Sequence, residues 1–212
     1  MKLREEKIFV DGSAGAIELI VEDPGTPRGI AIVCHPHPLF GGTNSNKVTQ
    51  TLARTFARLG YLAVRPNFRG VGGSAGTHDH GHGESADMLS VLAAIRRRYG
   101  DLPVALAGFS FGAYVQTRVA QALAEIHQPA QGLVLVAVAA GLVDGGRQYA
   151  LAAVPGDTIV IHGSADETVP LANVLAWAEP LELPVIVVPG ADHFFHRRLH
   201  IIGDIVTRAW RH

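Results

Sequence analysis

Gly108-Phe109-Ser110-Phe111-Gly112 directly follows the apolar run from Val104 to Ala107 and precedes a segment with helical spacing of apolar residues. A serine in this context predicts a sharp turn between a strand and a helix, with the hydroxyl group exposed on the turn. Glycine two residues to either side leaves room for the turn to pack against neighbouring strands. The G-x-S-x-G pattern is weak by itself, because 24 of the 212 residues are glycine. Its interpretation therefore depends on partners elsewhere in the chain.

Two later loops supply the partners that a nucleophilic serine needs, a carboxylate and an imidazole. Asp166 follows the β-branched run from Thr158 to Ile161, and His193 follows the run from Val185 to Val188. Both residues therefore come after a predicted strand, at the edge where open α/β sheets collect catalytic groups. The order Ser110, Asp166, His193 is also the order of the triad on such sheets. The sequence predicts that these three side chains form a catalytic triad.

Each partner of the serine has rivals close by. Glu167 is a weaker candidate for the carboxylate, because aspartate is the usual residue at this distance from the strand. Asp192 adjoins His193 and would have to reach back awkwardly. Two further histidines compete with His193, but we expect both on the final helix, four residues apart on a solvated face: His196 and His200.

A glycine-rich loop completes a family pattern. The segment from Asn67 to Ser74 is similar to the D-x-R-G-x-G-x-S loop of the α/β-hydrolase superfamily, with Asn67 in place of the acid. Together with the serine motif and the triad order, it makes the chain resemble small lidless α/β hydrolases, close to the dienelactone hydrolases and carboxylesterases. The resemblance runs from about the His35 loop to the His193 loop. It implies ester hydrolysis without a cofactor. Because Asn67 is neutral, an ion pair between Asn67 and Arg69 is impossible.

The resemblance also predicts the donors that stabilise an oxyanion. One is the backbone N–H of Phe111, at the start of the helix after the serine. The other is expected in the segment from His35 to Gly42, which resembles the H-G-x-P loop of the superfamily. Within Pro-His-Pro only His37 has a backbone N–H to donate, and Leu39 is the alternative. The residues expected around the substrate pocket are Leu39, Phe40, Arg69 and Phe194.

Short β-branched runs alternate with longer amphipathic segments, which predicts an α/β fold over residues 1–212 as a single α/β-hydrolase domain. We expect a mostly parallel twisted sheet with helices on both faces and an N-terminal antiparallel hairpin at its edge, from Lys7 to Val10 and from Ala16 to Glu22, split at Asp11-Gly12. Only about twenty residues separate the strands that end near Val138 and begin near Thr158. This length leaves no room for a large lid, so we expect an open, shallow site. The other predicted strands span 29–34, 61–65, 104–107, 132–138, 158–162 and 184–188, and the helices lie near 48–59, 84–99, 111–123, 170–178 and 201–209.

The composition indicates which partners and which cellular compartment to expect. The 18 basic residues are offset by 19 acidic ones, for a net charge of −1, which argues against nucleic acid and anionic membranes as partners. The single cysteine, Cys34, excludes an intrachain disulfide and is expected in the core. The charged segment from Met1 to Lys7 does not match a secretory signal peptide. The longest apolar stretch, from Leu133 to Val143, falls short of the roughly 20 residues that a membrane span needs. We therefore expect a cytoplasmic protein, as a monomer or as a homodimer.

Two glycine-rich patterns suggest ligands that we do not expect. His78, His80 and His82 occur at alternate positions, a spacing from which histidines can converge on a metal ion. They lie in a glycine-rich loop, however, whereas catalytic zinc usually takes three ligands from rigid elements. We expect these histidines at the active-site mouth or in water, with no metal. The run from Gly70 to Ala75 fits a dinucleotide fingerprint, but a loop follows it where that fingerprint requires a helix.

The function predicted from the sequence is hydrolysis of small esters with short acyl groups, acetyl to butyryl. Ser110, His193 and Asp166 would act through an acyl-enzyme, with no cofactor. Thioesters, lactones and small amides remain open as substrates, because the same triad serves all of them. A peptidase would usually carry additional substrate-binding segments. A catalytically silent binding scaffold of the same fold is the alternative from another class.

Overall fold

The computed structural model describes residues 3–211. Within them, eight strands build the central sheet: β1 (Arg4–Gly12), β2 (Gly15–Asp23), β3 (Gly29–Cys34), β4 (Tyr61–Pro66), β5 (Val104–Phe109), β6 (Gly132–Val136), β9 (Ile159–Gly163) and β10 (Val185–Val188). Two short strands, β7 (Gly141–Val143) and β8 (Arg147–Tyr149), form a separate hairpin. The helices are α1 (Lys47–Arg58), α2 (His82–Tyr99), α3 (Phe111–Glu125), α4 (Leu171–Ala178) and α5 (Leu199–Ala209).

The sheet has the order β1-β2-β4-β3-β5-β6-β9-β10. All neighbouring strands from β4 to β10 are parallel, and only the pairs β1-β2 and β2-β4 are antiparallel. This architecture confirms the predicted mostly parallel sheet with an antiparallel hairpin at its edge. Within residues 3–211, the segment between β6 and β9 forms the short β7-β8 hairpin rather than a large lid.

The predicted turn of the N-terminal hairpin is wrong by two residues. Asp11 pairs with Ala16 inside the ladder, and Gly12 pairs with Gly15, so the turn itself is Ser13-Ala14. Gly15 has φ of 116°, a conformation that glycine adopts without a steric penalty. The turn therefore lies at Ser13-Ala14, directly before Gly15, rather than at Asp11-Gly12.

Helices cover both faces of the sheet. Alternate residues of β3 point to opposite sides: Ile30 and Ile32 pack with α2 and α3, whereas Ala31 and Val33 pack with α1 and α5. Every residue of the four central strands is buried. Strands covered on both faces are typical of parallel sheets, which explains their nearly continuous apolar sequences. None of the helices between residues 3 and 211 is both long enough and apolar enough to span a lipid bilayer.

The prediction that His196 lies on the last helix is wrong. α5 starts at Leu199, so His200 lies on it but His196 does not. Phe195 and Arg197 have φ of 53° and 62°, which interrupts helical geometry on both sides of His196. Asp192 stabilises this turn, since its carboxylate accepts hydrogen bonds from the backbone N–H and the ring of His196 at 3.0 and 2.7 Å.

Candidate active site

Ser110 occupies a strained turn between β5 and α3. Its backbone angles, φ 56° and ψ −119°, lie outside the regions that non-glycine residues usually adopt. A Cβ atom at Gly108 would overlap the backbone of Gly112 and Ala113, and one at Gly112 would overlap the carbonyl groups of Cys34 and His35. The two glycines of the motif therefore permit a packing that no other residue type allows, and they leave the serine side chain at the end of the sheet.

His193 connects Ser110 with Asp166. Its Nε2 atom lies 3.1 Å from Ser110 Oγ, and its Nδ1 atom lies 2.8 Å from Asp166 Oδ2. All three residues are buried, at 5–8% exposure, although 27 and 83 residues of chain separate the hydrogen-bonded pairs. With Nδ1–H donating to the carboxylate, Nε2 is free to accept the serine proton. This is the geometry that activates a serine nucleophile.

Backbone donors fix the orientation of Asp166. Its Oδ1 atom accepts hydrogen bonds from the N–H groups of Thr168 and Val169 at 2.9 and 2.8 Å. The other oxygen, Oδ2, is left to face His193. The loop between β9 and α4 thus holds one side of the carboxylate and presents the other side to the imidazole.

Sequence reasoning missed a second imidazole beside this carboxylate. His162, the fourth residue of β9, is fully buried, with Nε2 3.0 Å from the carbonyl oxygen of Val169 and 3.5 Å from Asp166 Oδ2. Burial lowers the pKa of His162, against the opposing effect of Asp166. A signal was available, because His162 lies four residues before Asp166 at the end of an apolar strand.

The rival candidates lie elsewhere. Glu167 is exposed, and the carboxylate of Asp192 pairs with His196 rather than with His193. His200 is exposed on α5. The structure brings only Asp166 of the three candidate carboxylates into contact with the candidate histidine, within the residues described.

The loop after β3 lies beside the serine. The N–H of Leu39 donates to the ring Nδ1 of His37 at 3.2 Å, and the N–H groups of Phe40 and Gly42 donate to the His37 carbonyl at 3.1 Å. These bonds occupy the Leu39 amide, the alternative oxyanion donor, and none of them uses the His37 amide. The ring of His37 packs 4.9 Å from that of Phe111, whose N–H begins α3. That His37 and Phe111 are the oxyanion donors stays a prediction.

Two cavities meet near Ser110. The first, which we call the Ser110 cavity, has a volume of about 240 Å³ and is bordered by Ser110, His193 and Phe194 among others. The second, the Tyr149 cavity, has a volume of about 440 Å³ and includes Tyr114 and Tyr149 in its lining. The residues that border both cavities are His37, Phe40 and Arg147.

Of the predicted pocket residues, Phe40 borders both cavities, Leu39 the Tyr149 cavity and Phe194 the Ser110 cavity. Arg69 borders neither, so its predicted place in the pocket is not found. Instead its guanidinium donates to Asp87 of α2 at 2.6 and 3.0 Å. The buried carboxylate of Asp87 thus holds the guanidinium of Arg69 against α2.

The other residues of the glycine-rich loop have structural partners. The side chain of Asn67 accepts from the N–H of Asn44 at 2.8 Å and donates to Glu18 at 3.1 Å, so this amide joins the loop before α1 to strand β2 where the family pattern has an acid. His78 lies 2.9 Å from the buried carboxylate of Glu84.

The other two loop histidines differ in their surroundings. His80 borders the Tyr149 cavity, whereas His82 is the first residue of α2 and lies 2.9 Å from Arg118. Within residues 3–211, no three histidine, cysteine or acidic side chains converge as metal ligands would.

The chain is similar to several known proteins. Residues 25–151 match the family described as serine aminopeptidase, S33. The uncharacterized protein RP471 of Rickettsia prowazekii is 31% identical over 89% of this chain and 82% of its own length. Among solved structures, an alpha-beta serine hydrolase homologue from Coxiella burnetii is 36% identical, covers 97% of both chains and superposes with a TM-score of 0.81.

A second similar structure is that of a hydrolase without a lid. XC6422 from Xanthomonas campestris, a member of the a/b serine hydrolases without a lid, is 36% identical over 99% of this chain and 94% of its own, with a TM-score of 0.86. The fold of this chain, its serine motif and its similarity to these structures together identify it as a lidless α/β serine hydrolase. The chain belongs to the S33 family of the α/β-hydrolase superfamily.

Proposed function

We propose that this protein is a carboxylesterase that cleaves small esters with short acyl groups through an acyl-enzyme on Ser110. The observation that carries the proposal is the continuous hydrogen-bonded chain from Ser110 through His193 to Asp166. A strained backbone at the serine supports the same conclusion, because such strain is costly and persists where the surrounding structure enforces it.

The reaction proceeds in two steps. Ser110 Oγ attacks the ester carbonyl carbon while His193 Nε2 accepts its proton, and Asp166 stabilises the imidazolium that forms. The N–H groups of Phe111 and His37 hold the oxyanion of the tetrahedral intermediate. His193 then protonates the departing alcohol, which leaves the acyl group bonded to Ser110. A water molecule, deprotonated by His193, attacks the carbonyl carbon of this acyl-enzyme. His193 then returns the proton to Ser110 Oγ as the bond to the acyl group breaks and the acid leaves.

The surroundings of the serine support short substrates. The Ser110 cavity has a volume of about 240 Å³, which is below the usual range for ligand pockets, roughly 300–1,000 Å³. Large apolar side chains at its mouth, Phe40 and Phe194, are 67% and 45% exposed and suit an apolar acyl group of a few carbons. The near-neutral charge and the buried single cysteine are consistent with a small-molecule ester as substrate in the cytoplasm.

The test uses labelling and turnover together. We expect a fluorophosphonate probe to label the wild-type protein but not Ser110→Ala, and we expect Ser110→Ala to lose hydrolysis of 4-nitrophenyl butyrate by on the order of 10⁶-fold in kcat. The matched control is Ser90→Ala, a partly exposed serine on α2. Absence of labelling in the wild type would identify a silent scaffold.

The choice of substrate class needs its own comparison. We expect the butyryl ester to be hydrolysed faster than the palmitoyl ester. Alanine 4-nitroanilide tests the activity that the description of the S33 family names, and the butyryl thioester tests the thioesterase alternative. Faster cleavage of the anilide than of the ester would replace the carboxylesterase proposal by an aminopeptidase.

A further inference from the structure

A single arginine stands between the two cavities. Arg147 is the first residue of β8 and borders both the Ser110 cavity and the Tyr149 cavity. Its guanidinium lies over the ring of Phe40, 4.2 Å from the centroid. Its Nε and Nη2 atoms donate to the carbonyl oxygen of Asp144 at 3.1 and 2.7 Å. These contacts fix the guanidinium. Arg147 also hydrogen-bonds the side chain of Tyr149, which opposes the rise that burial causes in the pKa of Tyr149.

No carboxylate neutralises this arginine. Within residues 3–211, no aspartate or glutamate lies within 4.0 Å of its nitrogen atoms. Asp144 also borders the Ser110 cavity, but its contact with Arg147 is through the backbone carbonyl. By contrast, Arg65 and Arg69 pair with buried acids at 2.9 and 2.6 Å. Arg147 is therefore a preformed positive charge at the cavity wall.

The other groups around it do not compensate the charge. Glu84 is fully buried and accepts from the N–H groups of Asp79 and Gly81, with His78 2.9 Å away. Burial, with His78 and Arg147 acting in the same direction, lowers the pKa of His37 to about 4, so this ring is neutral near pH 7. The permanent charge at the shared wall is that of the guanidinium.

We propose that Arg147 binds an anionic group, a carboxylate or a phosphate, on one arm of the substrate ester while the ester carbonyl lies at Ser110. A guanidinium presents donors in a fixed fork that matches both groups. The inference rests on the proposed function and deepens it, since it names the substrate class as short esters that carry a negative charge. The aromatic walls of the Tyr149 cavity, Phe40, Tyr114 and Tyr149, enclose the space next to this charge.

Matched substrates test the inference on each arm of the ester. Methyl hydrogen glutarate, compared with methyl valerate, places a carboxylate on the acyl arm. On the alcohol arm, 3-acetoxybenzoate and 3-acetoxyphenyl phosphate are compared with the neutral methyl 3-acetoxybenzoate. For each set, the ratio of kcat/KM for the anionic ester to that for the neutral ester is measured in the wild type, in Arg147→Gln and in Arg58→Gln. Arg58 is an exposed arginine in the last turn of α1 and controls for the loss of one positive charge.

We expect Arg147→Gln to lower this ratio about tenfold or more in at least one set, and Arg58→Gln to leave it unchanged. The set that responds identifies the arm and the anion. A ratio that Arg147→Gln leaves unchanged in every set overturns the inference, because a merely structural role would affect anionic and neutral esters alike. Fluorophosphonate labelling of Ser110 separates the two proposals: labelled protein with an unresponsive ratio refutes only the anion site, whereas unlabelled protein refutes the proposed function.

If Arg147→Gln hydrolyses every ester too slowly to measure, anion binding can be measured instead. Glutarate and benzoate should slow fluorophosphonate labelling of the wild type, and Arg147→Gln should weaken this protection about tenfold. Equal protection of both proteins by both anions would also overturn the inference.

Discussion

The Nε2 atom of His35 accepts a hydrogen bond of 2.9 Å from the backbone N–H of Phe68. On the other side of the ring, Nδ1 lies 2.7 Å from the carbonyl oxygen of Pro36, to which it donates. The ring is fully buried, and burial lowers its pKa to about 4. The neutral imidazole thus joins the loop after β3 to the loop after β4, and protonation of Nε2 would break this connection.

We predict that the protein loses stability between pH 6.5 and pH 4. The pKa of His35 is about 4 in the folded protein and roughly 6.5 in an unfolded chain, so acidification protonates the unfolded chain first. The contribution of the neutral ring is complete above pH 6.5 and falls by up to about 3 kcal/mol as the pH approaches 4. His37 and His162, whose pKa values burial also lowers, act in the same direction.

Urea unfolding at pH 7.5, 5.5 and 4.5 measures this dependence. His35→Gln should reduce the dependence of the unfolding free energy on pH, whatever its effect at pH 7.5. His200→Gln, at an exposed position of α5, is the control and should keep the wild-type dependence. The same pH dependence in His35→Gln and wild type would contradict the role assigned to this ring.

The close packing of the turn at Ser110 predicts that alanine is more destabilising at Gly112 than at Gly156. Gly112→Ala should destabilise the protein by about 1–3 kcal/mol, because the new methyl group overlaps the carbonyl groups of Cys34 and His35. Gly156→Ala is the matched control, since nothing lies within 4 Å of the added atom. Thermal and urea unfolding measure both variants. If both substitutions had the same small effect, the close packing described for the turn would be wrong.

The three candidate carboxylates make a direct test of the triad. Asp166→Asn should lower kcat for 4-nitrophenyl butyrate by about 10⁴-fold, because an amide cannot stabilise the imidazolium and favours the wrong tautomer of His193. Glu167→Gln and Asp192→Asn, which do not contact that ring, should remain within about twofold of the wild type. A large loss in Asp192→Asn alone would transfer the role to that residue.

The ion pair between Arg69 and Asp87 should act on stability rather than on turnover. Asp87→Asn leaves the guanidinium without its buried partner, so we expect a loss of about 3 kcal/mol in the free energy of unfolding. Arg69 borders neither cavity, and kcat/KM of the remaining folded protein should change by less than about twofold. Lower kcat/KM at unchanged stability would place Arg69 at the substrate after all.

The sequence predicts the sheet and the three candidate triad residues because both depend on local patterns. Each triad residue lies in the short segment after an apolar run, and parallel strands bring the residues after their carboxyl ends to one edge. The direction of Arg69 depends instead on a partner 18 residues away, which no local pattern reveals. The hydrogen bonds that separate His196 from α5 likewise involve the geometry of one particular turn.

The β7-β8 hairpin escapes prediction for a different reason. Its strands have three residues each, too few to show a period of two. Gly145 and Gly146 both adopt positive φ, 76° and 73°, and glycine-rich turns of this kind look like ordinary loops in a sequence. Arg147 therefore has no distinguishing signal before the structure shows what it contacts.

The attachment of this hairpin to the rest of the domain leaves its tip free to vary in sequence and length. Asn173 of α4 donates to the carbonyl groups of Ala140 and Leu142, which attaches the hairpin at its base without involving the sheet. Insertions or replacements at its tip would remodel the space opposite Ser110 while the strands and the triad keep their positions. New selectivities can therefore evolve on this scaffold, or be engineered, by exchanging a single short segment.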